Sequence, residues 1–326
     1  ADLRGSIHED FSCTDCHHDI VRVPHALDLA KPDCTVCHEE TAEVYYQHGR
    51  GVVGESQDVP TCQECHGSHH ILPHTDSESM VHASNLSSTC GACHEDQDFL
   101  EEMNIKFKHP IEVYQSGVHG KATAGGKDTA ASCNDCHSTG GTAHRILPPG
   151  SLESTINFFN ISQTCGKCHS TIQREFEEGI HGEFVARGEV DAPTCTHCHG
   201  EHGILATDDP RSPVSPFRVA EATCTPCHDS AKLNEKYDLP TGRLQSYVDS
   251  YHGLKSRAGD KTVANCASCH GAHLVLPSDN SRSSVAPQNL VATCGHCHTG
   301  MSAEKAFKTK IHEQAISRAG WPFYIK

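Results

Sequence analysis

The chain has 326 residues, of which 36% are hydrophobic and 6% aromatic, while 20 are cysteine and 28 histidine. Mean hydropathy is -0.49 and no run reaches the ~18 apolar residues of a membrane helix, which excludes a self-contained bilayer span and argues against a large side-chain core. A formal charge of -16, from 26 Lys and Arg against 42 Asp and Glu, disfavours nucleic acid and anionic membrane as partners.

In chain order, every cysteine falls in the five-residue pattern C-x-x-C-H, which occurs ten times without remainder. The sets are Cys13, Cys16 and His17; Cys34, Cys37 and His38; Cys62, Cys65 and His66; Cys90, Cys93 and His94; and Cys133, Cys136 and His137. They continue as Cys165, Cys168 and His169; Cys195, Cys198 and His199; Cys224, Cys227 and His228; Cys266, Cys269 and His270; and Cys294, Cys297 and His298. Around them runs a longer repeat of two motifs, present five times: a leading His, a motif, an intervening His, and a second motif. The units cover about residues 1–43, 44–113, 114–175, 176–246 and 247–326. The leading residues are His8, His48, His119, His181 and His252; the last four stand 14 residues before the next cysteine and are followed by glycine. The intervening residues are His25, His69, His144, His202 and His273; the last four share the tail H-x-[I/V]-L, which selects His69 over its neighbour His70.

Between motifs, residues 96–107, 171–178, 229–237, 242–251 and 302–319 carry Glu, Lys, Leu and Phe at helical spacing and are predicted as short helices. Residues 51–60, 206–216 and 277–287 are rich in Gly, Pro, Ser and Asp and read as turns and loops. Strands have almost no support. Length alone suggests roughly two domains, but with about 33 residues per motif we expect one continuous domain over 1–326 instead.

Two cysteines three residues apart can each form a thioether to one haem, and the adjacent His then reaches the iron as proximal ligand. Ten such motifs predict ten c-type haems, with His17, His38, His66, His94, His137, His169, His199, His228, His270 and His298 as proximal ligands. A zinc knuckle needs about four ligands, and a redox C-x-x-C usually occurs singly, so neither fits. The ten repeat-matched histidines equal the number of irons needing a sixth ligand. His8, His25, His48, His69, His119, His144, His181, His202, His252 and His273 are therefore the distal candidates, implying bis-His coordination and low potentials. The three methionines, Met80, Met103 and Met301, occupy no repeated position. His69, His202 and His273 follow a proximal His by three residues, too close to cap the same iron, so each should serve a neighbouring one. His312 follows Phe307 by five residues, as the leading His119, His181 and His252 follow Tyr114, Phe176 and Tyr247; it is a further distal candidate, or else a helix-surface residue. His18, His70, His74, His82, His109, His197 and His296 occupy no repeated ligand register and read as surrounding or exposed groups.

The CHGSHHIL, CHGEHGIL and CHGAHLVL segments, with the leading YYQHG, SGVHG, EGIHG and DSYHG, resemble the multihaem c-type cytochromes of dissimilatory and extracellular respiration, and the likeness covers the whole chain. The resemblance implies a multihaem cytochrome fold, mostly coil with short α-helices wrapped around a haem chain and almost no β. It implies electron transfer rather than enzymatic turnover. Some relatives polymerise into haem-conducting filaments, in some cases with a His donated between subunits. Residues 1–100 hold 4 Lys and Arg against 18 Asp and Glu, and residues 301–326 hold 5 against 2; this polarity suits head-to-tail contacts that leave an open polymer. The alternatives are a monomeric periplasmic shuttle or an outer-membrane conduit subunit, and, third, a nitrite, hydroxylamine or sulfur-oxyanion reductase, which needs an open iron site. Redox proteins would be donor and acceptor, with a metal oxide or a partner cell as the extracellular acceptor. Haem is attached to C-x-x-C-H outside the cytoplasm, so the expected location is extracellular or at the cell surface, with the periplasm as alternative. Ala1 opens with no basic or apolar leader segment, as expected of an exported chain after signal-peptide removal.

Overall fold

The computed structural model describes residues 3–25, 28–45, 48 and 60–308. The chain divides into two compact units, Ala1–Asn160 and Ile161–Lys326, and the division falls inside the third two-motif repeat. The first unit holds α1 (Cys13–Cys16), α2 (Glu39–Tyr45), α3 (Cys62–His66), α4 (Leu86–His94), α5 (Gln97–Glu102), α6 (Pro110–Ser116), α7 (Val118–Ala124) and α8 (Cys133–His137). The second holds α9 (Ile161–Gly166), α10 (Ser170–Glu178), α11 (Ile180–Ala186), α12 (Cys195–His199), α13 (Thr225–His228), α14 (Ala231–Tyr237), α15 (Arg243–Val248), α16 (Tyr251–Arg257), α17 (Cys266–His270), α18 (Leu290–Gly295) and α19 (Ala303–Lys308). The longest, α4 and α10, have nine residues. Among the described residues no helix is long and apolar enough to cross a membrane, and the β structure is one antiparallel bridge, Ser138 to Ile146. The fold is thus helix and coil with almost no strand, as the composition of the loops predicts.

The expected helices at 171–178 and 229–237 appear as α10 and α14. The segment 96–107 is helical only over α5, because Asn104 takes a left-handed φ of 53° and Ile105 N–H returns to the Leu100 carbonyl, closing the helix end. The segment 242–251 holds α15, after which a new helix, α16, begins. Of 302–319, α19 lies among the described residues and the part beyond 308 outside them; most of 51–60 lies outside them as well. Residues 206–216 and 277–287 are turns.

Three local devices recur. The first is a pair of helices before a motif: α6 and α7, α10 and α11, α15 and α16. The glycine after the leading His lies at their crossing. A Cβ on Gly120, Gly182 or Gly253 would come within 2.3, 2.3 or 2.2 Å of the carbonyl oxygen of Tyr114, Phe176 or Tyr247, a separation only glycine permits. Tyr114 and Tyr247 then donate their hydroxyls to the carbonyls of Ala131 and Ala264, two residues before the next motif.

The second device is a capping box. Ser12, Thr61, Ser132, Thr194 and Asn265 each precede the first cysteine of a unit, and each pairs reciprocally with the residue three positions on: Asp15, Glu64, Asp135, His197 and Ser268. The variable x-x of C-x-x-C therefore carries the residue that starts its own helix.

The third device is a ladder of three-residue turns following each H-x-[I/V]-L tail. Backbone N–H groups of Asp76, Ser79, His82 and Asn85 return to carbonyls three residues earlier, as do those of Ser151, Ser154, Asn157 and Asn160, of Asp209, Ser212, Ser215 and Arg218, and of Asn280, Ser283, Ala286 and Asn289. Ser79, Ser154 and Ser283 donate to the carbonyls of Leu72, Leu147 and Leu276 at the ladder's start. The amides of Asn85, Asn160 and Asn289 each bridge two ladder carbonyls at 2.8 to 2.9 Å. The threonine before the second motif, Thr89, Thr223 or Thr293, then donates into the ladder.

In the fourth unit Arg218 stands where the others have asparagine and lies six residues from Cys224, whereas Asn85, Asn160 and Asn289 lie five from Cys90, Cys165 and Cys294. The extra residue is absorbed as a π-helix over Val219–Cys224. Apolar burial is sparse. Leu100 and Ala286 are each 1% exposed, yet four of the five largest fully buried side chains are ladder serines: Ser154, Ser212, Ser215 and Ser283. Cohesion in the described residues thus rests on the ladders' backbone hydrogen bonds and the Ser154 and Ser283 hydroxyls, with little contributed by a shared apolar interior; the Ser212 and Ser215 hydroxyls are buried without a partner.

Candidate metal centres

The motifs at Cys62, Cys90, Cys133, Cys195 and Cys266 lie in α3, α4, α8, α12 and α17, and at Cys13, Cys34, Cys165 and Cys294 the motif histidine N–H returns to the first cysteine's carbonyl, so both thiols and the imidazole belong to the same short segment. Half-buried thiols meet between consecutive motifs. Cys34 lies beside Cys62, Cys90 beside Cys133, Cys165 beside Cys195, and Cys224 beside Cys266, each pair close enough for one thiol to shift the other. The remaining neighbours interact electrostatically. Burial pushes the Cys65, Cys198 and Cys269 thiols up, and next in effect are Cys90, Cys227 and Cys294 of the following motif. Within the first compact unit the motifs opening at Cys34, Cys62, Cys90 and Cys133 therefore adjoin in chain order, and within the second those at Cys165, Cys195, Cys224, Cys266 and Cys294 do the same.

The histidines pair across this row. His8 faces His38 with ring centroids 6.0 Å apart, His48 faces His94 at 6.5 Å, His181 faces His228 at 6.2 Å and His252 faces His298 at 6.0 Å. In each case the leading His of a unit meets the second motif of that unit. His69 faces His17 at 6.2 Å, His144 faces His66 at 5.9 Å and His273 faces His199 at 6.1 Å. In each of these the intervening His meets the first motif of the unit before. Sequence spacing left this pairing open. Its register is an offset of one repeat, which only the tertiary path of the chain sets.

Among the remaining candidates, His119 lies in α7 and His137 ends α8, both half-buried; His169 is exposed directly before α10; His202 is half-buried in the loop after α12; His270 ends α17; and His25 is exposed beyond the His17 turn. His312 lies outside the described residues.

The electrostatics suit ligation. Burial lowers the pKa of His48, His66, His199 and His252, helped by the facing His94, His144, His273 and His298. For His181, burial and then His228 lower it to about 4. Burial also lowers His144, His202, His228 and His270. At neutral pH these rings are the neutral form that binds a metal.

Other histidines have different tasks. His197 closes the capping box, its Nδ1 lying 3.1 Å from the Thr194 N–H that donates to it. His82 Nδ1 lies 2.7 Å from Ser84 Oγ inside the ladder. His109 Nδ1 lies 3.0 Å from Glu95, whose other oxygen accepts from Ile111 N–H at the start of α6. With Glu112 these two residues bring three ligand atoms within 4.8 Å of one another, a grouping that the repeat does not signal, since His109 occupies no shared register. The Glu95 contacts identify it as the anchor of α6. No known protein family matches this chain, and neither a curated protein nor a solved structure matches it.

Proposed function

We propose that the chain is an electron-transfer protein that carries a c-type haem on each of its ten C-x-x-C-H motifs. The observation that carries this reading is the set of facing histidines. Imidazole bonds a metal at about 2.0 Å, so two imidazoles on opposite sides of one metal hold their ring centroids roughly 6 Å apart, and the seven pairs span 5.9 to 6.5 Å. Each pair joins one motif histidine to one histidine of a repeated register, as iron ligation requires. When bound, the haem iron supplies one-electron exchange between ferric and ferrous states.

The chain's own residues would do the rest. The two thiols of each motif would hold the macrocycle covalently, and the motif histidine and, where one faces it, the repeat histidine would hold the iron. Two imidazoles on each of the seven irons so faced would leave no position there for substrate, which favours electron transfer over a reductase. Thiols that adjoin in chain order within each compact unit support a row of centres in each. Sparse apolar burial supports the macrocycles as the missing interior. Attachment chemistry of this kind points to a site of action outside the cytoplasm, and the acidic residues 1–100 and basic residues 301–326 support head-to-tail association into a filament as its extracellular form.

The test is whole-protein mass together with visible spectra of the native protein. Ten haems per chain and six-coordinate low-spin bands in both oxidation states are expected. Fewer than ten, or a band from nitrite or CO binding without denaturation, would overturn the reading of ten closed centres. Electron microscopy of native material tests assembly: filaments with a regular subunit repeat are expected, and discrete particles at high concentration would favour the shuttle.

A further inference from the structure

The seven facing pairs fall into two groups by the angle between their imidazole planes. The intervening pairs are close to parallel: 23° for His17 and His69, 27° for His66 and His144, and 16° for His199 and His273. The leading pairs are steeply inclined: 62° for His8 and His38, 52° for His48 and His94, 60° for His181 and His228, and 48° for His252 and His298. The groups do not overlap. First motifs hold the parallel pairs, second motifs the inclined ones, and the motifs alternate along the chain.

In the second compact unit the backbone gives a reason for the division; in the first, His8 and His48 lie in turns. His181 and His252 sit in the first turns of α11 and α16, where the helix restricts the side-chain torsions and aims the ring back along the preceding turn. His69, His144 and His273 precede the turn ladders in bends or turns, outside any helix. Gly179 at the entry to α11 packs against the His273 carbonyl, with a Cβ position 2.9 Å away, and Ile180 N–H donates to the Val275 carbonyl at 2.8 Å. The helix that bears a leading His is thereby docked on the loop that bears an intervening one, and the two rings are held in different planes.

We infer that the two-motif repeat builds two electronic classes of iron centre, parallel-ligand and inclined-ligand, in alternation along the row. This rests on the bis-His haem reading above. The orbital consequence is general. Parallel imidazoles both donate into the same iron dπ orbital, raise it, and stabilise the ferric state with its hole there. Inclined imidazoles each donate into a different dπ orbital, which leaves the two nearly degenerate, preserves orbital angular momentum and stabilises the ferric state less. Axial geometry of this kind is one of the levers by which a protein sets a haem's potential. Inclined centres therefore have the higher potential, and the row alternates between higher and lower steps.

The test is low-temperature electron paramagnetic resonance of the oxidised native protein, with haem content measured on the same sample. Two ferric low-spin signals are expected, a resolved rhombic spectrum from the parallel centres and a highly anisotropic line at large g from the inclined ones. In a potentiometric titration the large-g line should disappear first as the potential is lowered. His252→Ala should reduce the large-g intensity and spare the rhombic one; His273→Ala should do the reverse. A single class of signal at full haem content, or the opposite order of reduction, would overturn the inference while leaving the haem reading intact. Absence of haem would overturn both.

Discussion

At the scale of single residues, the glycine after each leading His has the clearest physical cause. Gly182 lies where a Cβ would meet the Phe176 carbonyl oxygen at 2.3 Å and the Glu177 Cα at 2.7 Å, both backbone atoms that cannot step aside. Gly188, with φ of +88°, has nothing within 4 Å of its Cβ position, so alanine there meets only the left-handed backbone penalty of about 1 kcal/mol. Gly182→Ala should accordingly destabilise more than Gly188→Ala, by up to ~3 kcal/mol if it behaves as an overpacked site. It should also disturb His181, its neighbour. Thermal melts of the two variants, read beside the low-spin band, check both halves.

A second residue-scale consequence concerns acid. The Lys236 ammonium hydrogen-bonds Glu189 at 2.9 Å and Asp191 at 2.8 Å, and holds both carboxyls below their usual 4.5 and 3.8. A carboxylate with a depressed folded pKa binds fewer protons than its unfolded counterpart, so its stabilisation is present above the ordinary carboxylate range and is lost as pH falls through the folded value. Lys236→Met should therefore flatten the acid limb of the stability curve and lower stability slightly at neutral pH. Because the groups are surface-exposed, 0.5 M salt should reproduce part of the effect. Melting temperatures between pH 7 and 3, with and without salt, measure it.

At the scale of elements, the helices at the first motif of each unit are four or five residues long, too short for any periodicity to reveal. Their signal is the capping box instead. Asp135 accepts from both the N–H and the hydroxyl of Ser132, at 2.7 and 2.8 Å, and Asp135→Ala should cost about 1 kcal/mol without changing haem content. The ten motifs, the repeat and the helices at 171–178 and 229–237 were legible from composition and spacing. Two of the four turn ladders, those at 206–218 and 277–289, were legible, and only as loops, because their period of three depends on serine and asparagine side chains reaching the backbone, which the residue types allow in many conformations. The π-helix over Val219–Cys224 had a sequence trace in the six-residue step from Arg218 to Cys224, visible only when the ladders are aligned. Deleting Glu221, whose side chain is exposed, should convert it to the form of the other repeats. Haem content and melting temperature near those of the parent chain are the expected result; loss of the haem at Cys224 would show that the extra residue places that motif.

At the scale of the molecule, the distal pairing decides how the repeats hold together. Were each intervening His to serve its own unit, the five units would be independent beads on a chain. Instead His69, His144 and His273 face His17, His66 and His199 of the preceding units, so on the proposed haem reading each such centre would span two repeats, with the covalent and proximal bonds on one and the distal bond on the next. Leading histidines such as His181 and His252 close their own unit over its second motif. Links within and between repeats thus alternate, which predicts an arrangement that loses haem ligation cooperatively. The register was beyond sequence reasoning because His273 is only three residues from His270 yet faces His199, and nothing in the local pattern records that distance. His273→Met separates the possibilities. A thioether raises the potential of the iron it binds, so exactly one centre should move upward and gain a sulfur-to-iron charge-transfer band. If the offset holds, combining His273→Met with His199→Ala should abolish that band, whereas His273→Met with His270→Ala should keep it. The opposite pattern would return the fourth and fifth repeats to independence.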